Sequence, residues 1–506
     1  MRRLTTTAIL LALAALPAAA GDYATQRSAI LERVDALAAN AGAEPASDRL
    51  ADFIQIYFDY AMNEFPEFAT YIGHPGDHGR WTDNSQAAEE LRDADLRRAV
   101  EVLQTIPREE LSGADRLNYD LLAEDLPEQV EGQRFPEELL PITQLSGVQQ
   151  QPAQLFAMMP TGSVTEVENI LSRLAGIPSL VANDIDALRR GLAAGVTPPQ
   201  VTLRDLPGQV EALTPDDPMA SALLMPFAKL PEATPEAERE RLRAAAVATY
   251  TESVAPAYRE LHEFLVEEYL PGARQTIAAS ALPDGEAWYA YQVQQMTTTD
   301  LTPQQIHELG LSEVARIRAE MDRVIVESGF SGDFAAFTTF LRTDPQFYYT
   351  KPEELLAGYR DISKRADPEL IKLFGTLPRL PYGVTPVPDF MAPSQTTAYY
   401  EPGSLEAGRP GQFFANTYKL DERPKWEMEA LTLHEAVPGH HLQTSLQQEL
   451  HGLPSFRRHD YVNAFGEGWG LYSERLGLEA GFYKDSYSNF GRLTYEMWRA
   501  CRLVVD

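Results

Sequence analysis

The sequence predicts a mainly α-helical protein carrying a small β-sheet next to one chemically loaded helix. Three observations point there. From about Asp48 to Ala335 apolar residues recur at helical spacing, broken by Pro and Gly and without internal repeat. Helix starts are marked by capping signals. Between Leu377 and Leu420 prolines multiply and short β-prone runs appear at Val384 to Val387, Thr396 to Tyr400 and Gln412 to Thr417.

The best-marked helix begins at Thr302-Pro303-Gln304-Gln305, where Thr302 can cap, Pro303 fits the first turn and Gln305 can close a capping box. Ile306, Leu309, Val314, Ile317, Met321 and Val324 then form one apolar stripe. Thr350-Lys351-Pro352-Glu353 opens another helix, expected through about Arg365. After the β-prone region the segment from Pro424 to Leu433 returns to helix, with Glu427, Ala430 and His434 on one face. Further helices are expected from about Asn463 to Leu478 and from about Asn489 to the end.

The first twenty residues read as a secretory leader, with Arg2 and Arg3 before an apolar core from Ala8 to Leu16, and Ala18, Ala19 and Ala20 before Gly21. The expectation is export to the periplasm or the medium. The leader is too short to span a bilayer and no other stretch is apolar enough, so no membrane anchor is expected. A lipid anchor would need a cysteine at the cleavage point, and the single cysteine is Cys501. One cysteine also excludes an intrachain disulfide. The net charge of −31, without clustered Lys and Arg, argues against nucleic acid as a partner. The 506 residues divide, on expectation, into the leader 1–20, an N-terminal helical region 21–270 and a C-terminal region 271–506, the last two sharing a cleft. The division rests on Leu270-Pro271-Gly272, which reads equally as a turn between packed helices. Oligomeric state is not readable.

Three of nine histidines, His434, His440 and His441, fall within eight residues and flank Glu435. In the usual zinc-hydrolase helix two histidines four apart share one face with a glutamate beside the first. Here that second position is Pro438. On a regular helix His440 lies about 240° around from His434, and His441 sits on the same face ~10.5 Å further along. Ligand nitrogens must come within roughly 4 Å of each other, so a metal site requires the backbone to bulge. Pro438 and Gly439 supply the means, since proline removes an amide donor and disturbs Val437, while glycine tolerates almost any angle. The residues alone leave two readings open: a metal site, or a helix C-terminus stopped by Pro-Gly.

The run from His434-Glu435 through Pro438-Gly439-His440-His441 to Gln443, followed by Glu467-Gly468-Trp469 and on to Tyr472 and Glu474, resembles the domain-of-unknown-function 885 family. Similar stretches include Leu282 to Gly285, Thr297 to Pro303, His307 to Leu311, Tyr399-Tyr400 and Arg492 to Arg499. The resemblance covers most of the mature chain, strongly after about Thr249. It implies a zinc peptidase similar to thimet-type oligopeptidases and Taq-type carboxypeptidases, hence a helical metalloprotease-like, gluzincin-type fold. It implies one Zn2+ per chain, with His434, His440 and Glu467 as ligands and Glu435 as base. Glu474, two turns beyond Glu467, suits a hydrogen bond to a ligand imidazole. His441 is expected beside a ligand or against substrate.

Tyr399, Tyr400 and Tyr495 are candidate oxyanion donors, and Arg492, Arg499 and Arg502 candidates for a substrate carboxylate. The strand Gln412 to Asn416 could pair with an extended peptide. Family members continue beyond the residues matching Leu503 to Asp506, so a C-terminally incomplete chain is expected. A non-catalytic exported binding protein and a hydrolase of esters or cell-wall amides are the alternatives.

Overall fold

The computed structural model describes residues 18–506 apart from positions 41 and 43. Of the expected leader, residues 1–17 lie outside the described residues. At the N-terminal end, α1 (Ala18–Ala39) and α2 (Ala46–Glu64) pack with helices Gln86–Leu103 and Gly113–Gly132. Leu50, Phe53, Val102, Leu103, Leu122 and Leu126 form the shared core. The short helix Pro66–Ile72 ends on Gly73, whose φ of 77° is the left-handed turn that glycine accepts without strain.

The longest helix, α3 (Val164–Ala194), opens with a capping box between Ser163 and Glu166 and closes on Gly195 at φ 73°. Its apolar face, Val167, Ile170, Leu174, Ile177, Val181, Ile185 and Leu188, repeats at three and four residues and is buried throughout. Against it lies a continuous helical run, Glu236–Gly272, with π-helical turns at Tyr250–Val254 and Leu265–Tyr269. Each π turn sits just ahead of a proline, Pro256 or Pro271, whose missing N–H releases a carbonyl that the wider turn accommodates.

Helix α4 (Pro303–Glu327) starts with the capping box expected of Thr302 and Gln305. Its inward face differs from the expected stripe. Ile317, Met321 and Val324 are buried, but Leu309 is 48% exposed. The reason is Gly310, which lies so close to Leu503 and Val504 that the final helix turns the contact face by one residue. Helix α5 (Pro352–Leu373) runs two turns beyond the expected end at Arg365 and contains Pro368. Burial of Ala366 and Leu370 on its inner face offsets the lost backbone bond.

The expected small sheet is present, with strands β1 (Tyr382–Pro386), β2 (Ala398–Glu401) and β3 (Gly411–Ala415). Its order is β1-β3-β2, β1 parallel and β2 antiparallel to β3. β3 is therefore central and fully paired. A peptide cannot add to Gln412 to Asn416; the outer strands are β1 and β2, and of these β2 lines the cleft described below. The inner residues Phe413 and Ala415 pack on α5, with the Tyr359 ring edge-on to Phe413 at 5.1 Å.

After the sheet come α6 (Met428–Glu435), α7 (His440–Gln448), α8 (Asn463–Leu476) and α9 (Ser486–Val505). Leu431, Leu433, Ala436, Val437 and Leu442 continue the core begun by α5 and β3. Among the described residues no helix is long and apolar enough to cross a membrane.

Candidate metal centre and cleft

The helix carrying His434 does not bulge at Pro438; it stops and a new helix begins. α6 ends at Glu435, Ala436 takes φ −97° and ψ −111°, and α7 starts at His440. The Val437–Pro438 peptide is cis. Gly439 adopts φ −75° and ψ −132°, where an added Cβ would collide with the His434 carbonyl. Only glycine fits that approach. Trp469 of α8 fixes the connection by donating its indole N–H to the Pro438 carbonyl at 2.8 Å.

The break sets the His434 and His440 rings perpendicular, with centroids 4.6 Å apart. Glu467 reaches both: one carboxylate oxygen is 3.5 Å from His434 Nε2, and the other is 3.8 Å from His440 Nε2. One ligand atom from each of the three residues lies within 4.8 Å of the others. The approach depends on Gly470, over which the His434 ring sits at 2.5 to 2.8 Å from where a Cβ would stand. Glycine spacing on α8 thus sets how near Glu467 comes to the histidines.

Hydrogen bonds orient the trio. His434 Nδ1 donates to Glu474 Oε1 at 2.8 Å, which leaves Nε2 facing Glu467. Arg499 of α9 holds the same Glu474 oxygen at 2.9 Å. Tyr461 donates its hydroxyl to Glu467 at 2.9 Å. Among the described residues His440 Nδ1 is buried without a hydrogen-bond partner. An imidazole held in place by a partner on its far nitrogen is the usual arrangement behind a metal ligand.

Protonation follows from this packing. Burial alone would lower the His434 pKa, but its hydrogen bonds to Glu467 and Glu474 outweigh burial and raise it to about 9. Glu467 falls to about 2, chiefly through the His434 hydrogen bond. His440 drops to about 4 because burial and the neighbouring His434 disfavour a second positive charge. Glu435 rises to about 7 through burial. The site thus holds one proton shared toward an anionic Glu467, one neutral imidazole and a buried carboxyl poised near neutrality. Two imidazoles and a carboxylate are a donor set that suits a divalent metal.

These side chains open on a cleft of about 950 Å³, lined also by Tyr71, Tyr399, Tyr400, Tyr495, Arg499 and Arg502. The chain, over residues 66–506, matches the family described as "Bacterial protein of unknown function (DUF885)". The chain belongs to this family. Curated proteins gave no match. Two solved structures share the fold. "The putative lipoprotein from Colwellia psychrerythraea" superposes with a TM-score of 0.83 at 24% identity, over 91% of this chain and 83% of that one. "A putative lipoprotein of unknown function from Shewanella oneidensis" does so with a TM-score of 0.62 at 16% identity, over 90% and 82%.

Not every residue singled out in this DUF885 sequence reaches the cleft. His441 points the other way, its ring 4.5 Å from that of Tyr382 and its Nδ1 2.8 Å from the Tyr400 hydroxyl. It is neither beside a ligand nor on the cleft wall, because one residue along a new helix turns the side chain by about 100°. Asn416 is fully buried, and its amide donates to the Ala392, Gln395 and Thr396 carbonyls, fixing the loop that leads into β2. Arg492 is buried against Glu496 rather than in the cleft. Tyr495 lines the cleft with its hydroxyl 3.4 Å from Glu427. Sequence reasoning missed Tyr461 and the clamping role of Trp469. The only signal for either was proximity in sequence to Glu467.

Proposed function

We propose that this protein is an exported zinc hydrolase of gluzincin type that cleaves short peptides. The observation that carries the reading is the convergence of His434, His440 and Glu467 on one point with a buried Glu435 beside it, inside a cleft. Export is supported by the basic-apolar-small leader pattern and by the naming of both structural neighbours as lipoproteins.

His434, His440 and Glu467 would hold the ion. When bound, zinc supplies Lewis acidity toward a carbonyl and a water whose pKa falls toward ~7. Glu435 accepts the proton of the attacking water and returns it to the leaving amine. Burial raises its pKa above the usual carboxylate range, the direction that favours holding the proton between the two steps. Glu474 and Arg499 keep the His434 ring from turning, and Tyr461 does the same for Glu467. Tyr495 donates to the developing oxyanion: its hydroxyl is tied only by a long contact to Glu427, whereas that of Tyr400 is taken by His441. Along the cleft the free edge of β2 pairs with the extended substrate backbone.

Metal analysis by mass spectrometry on the native chain and His440→Ala tests the centre, and a peptide library tests catalysis. About one zinc in the native chain, lost in the variant, is expected. Glu435→Gln should keep the zinc and lose about 10²-fold or more in hydrolysis. A folded native chain that takes up no zinc from zinc-containing buffer overturns the assignment.

A further inference from the structure

Three arginines line the metal cleft, Arg458, Arg499 and Arg502, in a chain whose net charge is −31. The carboxylates lining it are Asp460 and two members of the centre, Glu435 and Glu467. With those two given over to the centre, the rest of the wall is cationic against the charge of the whole chain. A cleft of this kind concentrates its field on an anionic ligand.

Two of the arginines are engaged within the fold. Arg499 holds Glu474 behind the His434 ring, and its Nη1, unpartnered among the described residues, is shut off from solvent. Arg458 donates to the Ser455 hydroxyl at 3.2 Å, and its Nε is likewise buried. Arg502 differs from both. It is exposed, and among the described residues its side chain forms no hydrogen bond and no ion pair. All five of its N–H donors are unspent.

Two observations tie that fork to the cleft rather than to open solvent. Tyr495, Trp498, Arg499 and Arg502 succeed one another at intervals of three, one and three residues on α9, so they share one helix face, and all four line the cleft. Arg499 marks where this face meets the metal centre, and Arg502 lies one turn, ~4.5 Å of rise, further along. The second observation is Trp498. The Arg502 guanidinium lies over its indole, with Cζ 5.3 Å from the ring centre. Attraction to the aromatic face steadies the charged end of a long side chain without using its N–H groups, which stay available to a planar acceptor. The group that matches such a fork with two parallel hydrogen bonds is a carboxylate.

We propose that Arg502 anchors a carboxylate of the substrate peptide, so that the cleft selects peptides carrying a free carboxylate at the C-terminus or on an acidic side chain. This rests on the peptidase reading for the nature of the ligand, but the anchor can be tested without turnover.

The experiment is calorimetric titration of Glu435→Gln protein, in zinc-containing buffer, with one hexapeptide of neutral side chains in three forms: the free acid, the C-terminal amide, and the amide with glutamate as its last residue. A form that carries a carboxylate is expected to bind about tenfold more tightly than the neutral amide, the scale of a charge-assisted fork. Tighter binding of the free acid identifies the C-terminal carboxylate as the group held; tighter binding of the glutamate form identifies a side chain. Arg502→Gln should abolish either preference, and Arg502→Lys, which keeps the charge but not the fork, should retain part of it. Because Arg502 is exposed and unpaired, both variants should keep the native circular dichroism. Equal binding of the three forms, a preference that survives Arg502→Gln, or no binding of any form overturns the proposal. Hydrolysis of the same peptides by the native chain separates the two claims. Selective binding without cleavage leaves the anchor standing and removes the peptidase reading; cleavage indifferent to the carboxylate does the reverse.

Discussion

Gly470→Ala should damage the metal centre without touching a ligand. A Cβ at position 470 would stand 2.5, 2.7 and 2.8 Å from three atoms of the His434 ring, whereas carbon and nitrogen atoms in contact settle at about 3.5 to 4.0 Å. About 1 Å of displacement is therefore needed. The ring cannot simply swing away, because Glu474 holds its Nδ1 and Arg499 holds Glu474.

Overpacking of this kind costs about 1–3 kcal/mol. Alanine in place of glycine in a helix interior gains back about 1 kcal/mol, so the net loss of stability is about 0–2 kcal/mol. Gly468, two residues earlier on the same helix, has open space around its Cβ position, so Gly468→Ala should stabilise by up to about 1 kcal/mol. The two variants should thus differ by about 1–3 kcal/mol in urea unfolding of the metal-free protein. Zinc affinity, measured by competition with a chelator, should fall about 10- to 100-fold in Gly470→Ala and stay near native in Gly468→Ala, since tilting a ligand ring resembles loss of its supporting partner. Equal stability and equal zinc affinity in the two alanine variants would refute the argument that close approach of α8 to His434 builds the centre.

Glu474→Gln should weaken zinc about 10-fold or more while circular dichroism stays native, because the ring loses its charged anchor but not its packing. Tyr495→Phe should lower kcat and leave metal content unchanged; an unaltered kcat would remove Tyr495 from the reaction. Arg173, fully buried on α3, donates to the Arg80 and Pro66 carbonyls and the Thr70 hydroxyl, and burial lowers its pKa to about 10. Arg173→Met should cost about 2–4 kcal/mol in urea unfolding by stranding those acceptors, and a loss below about 0.5 kcal/mol would contradict that account. Burial raises the folded pKa of Asp184 to about 7, above the ordinary aspartate value of 3.8, so the folded state binds the extra proton between those limits. Stability should therefore decline as pH rises from about 4 to 7, with a slope of up to about 1.4 kcal/mol per pH unit from this group, and Asp184→Asn should flatten the decline.

Local chemistry fixed much of what the sequence made legible. The capping box at Thr302 and Gln305 and the three β-prone runs are written in short-range preferences, and each forms within a few residues of where the sequence indicates. The density of histidines beside Glu435, interrupted by Pro438 and Gly439, marked the segment where a regular helix could not continue. What spacing could not decide was how the chain would leave α6 and re-enter α7. Position along a chain predicts direction only inside a regular element. Once the helix stops at Glu435, the direction of His440 is set by Trp469 holding Pro438 and by the space that Gly439 and Gly470 leave. The same break turns His441 toward Tyr382 and Tyr400. Pairing order was equally hidden, since β2 and β3 read alike, and burial of Phe413 against Tyr359 makes β3 the centre and leaves β2 the edge along the cleft. The sequence alone determined which segments are helices and strands and where the ligand-type residues cluster. Tertiary packing decided which of those residues meet, because only contacts between distant segments fix a side chain where the backbone is free to turn.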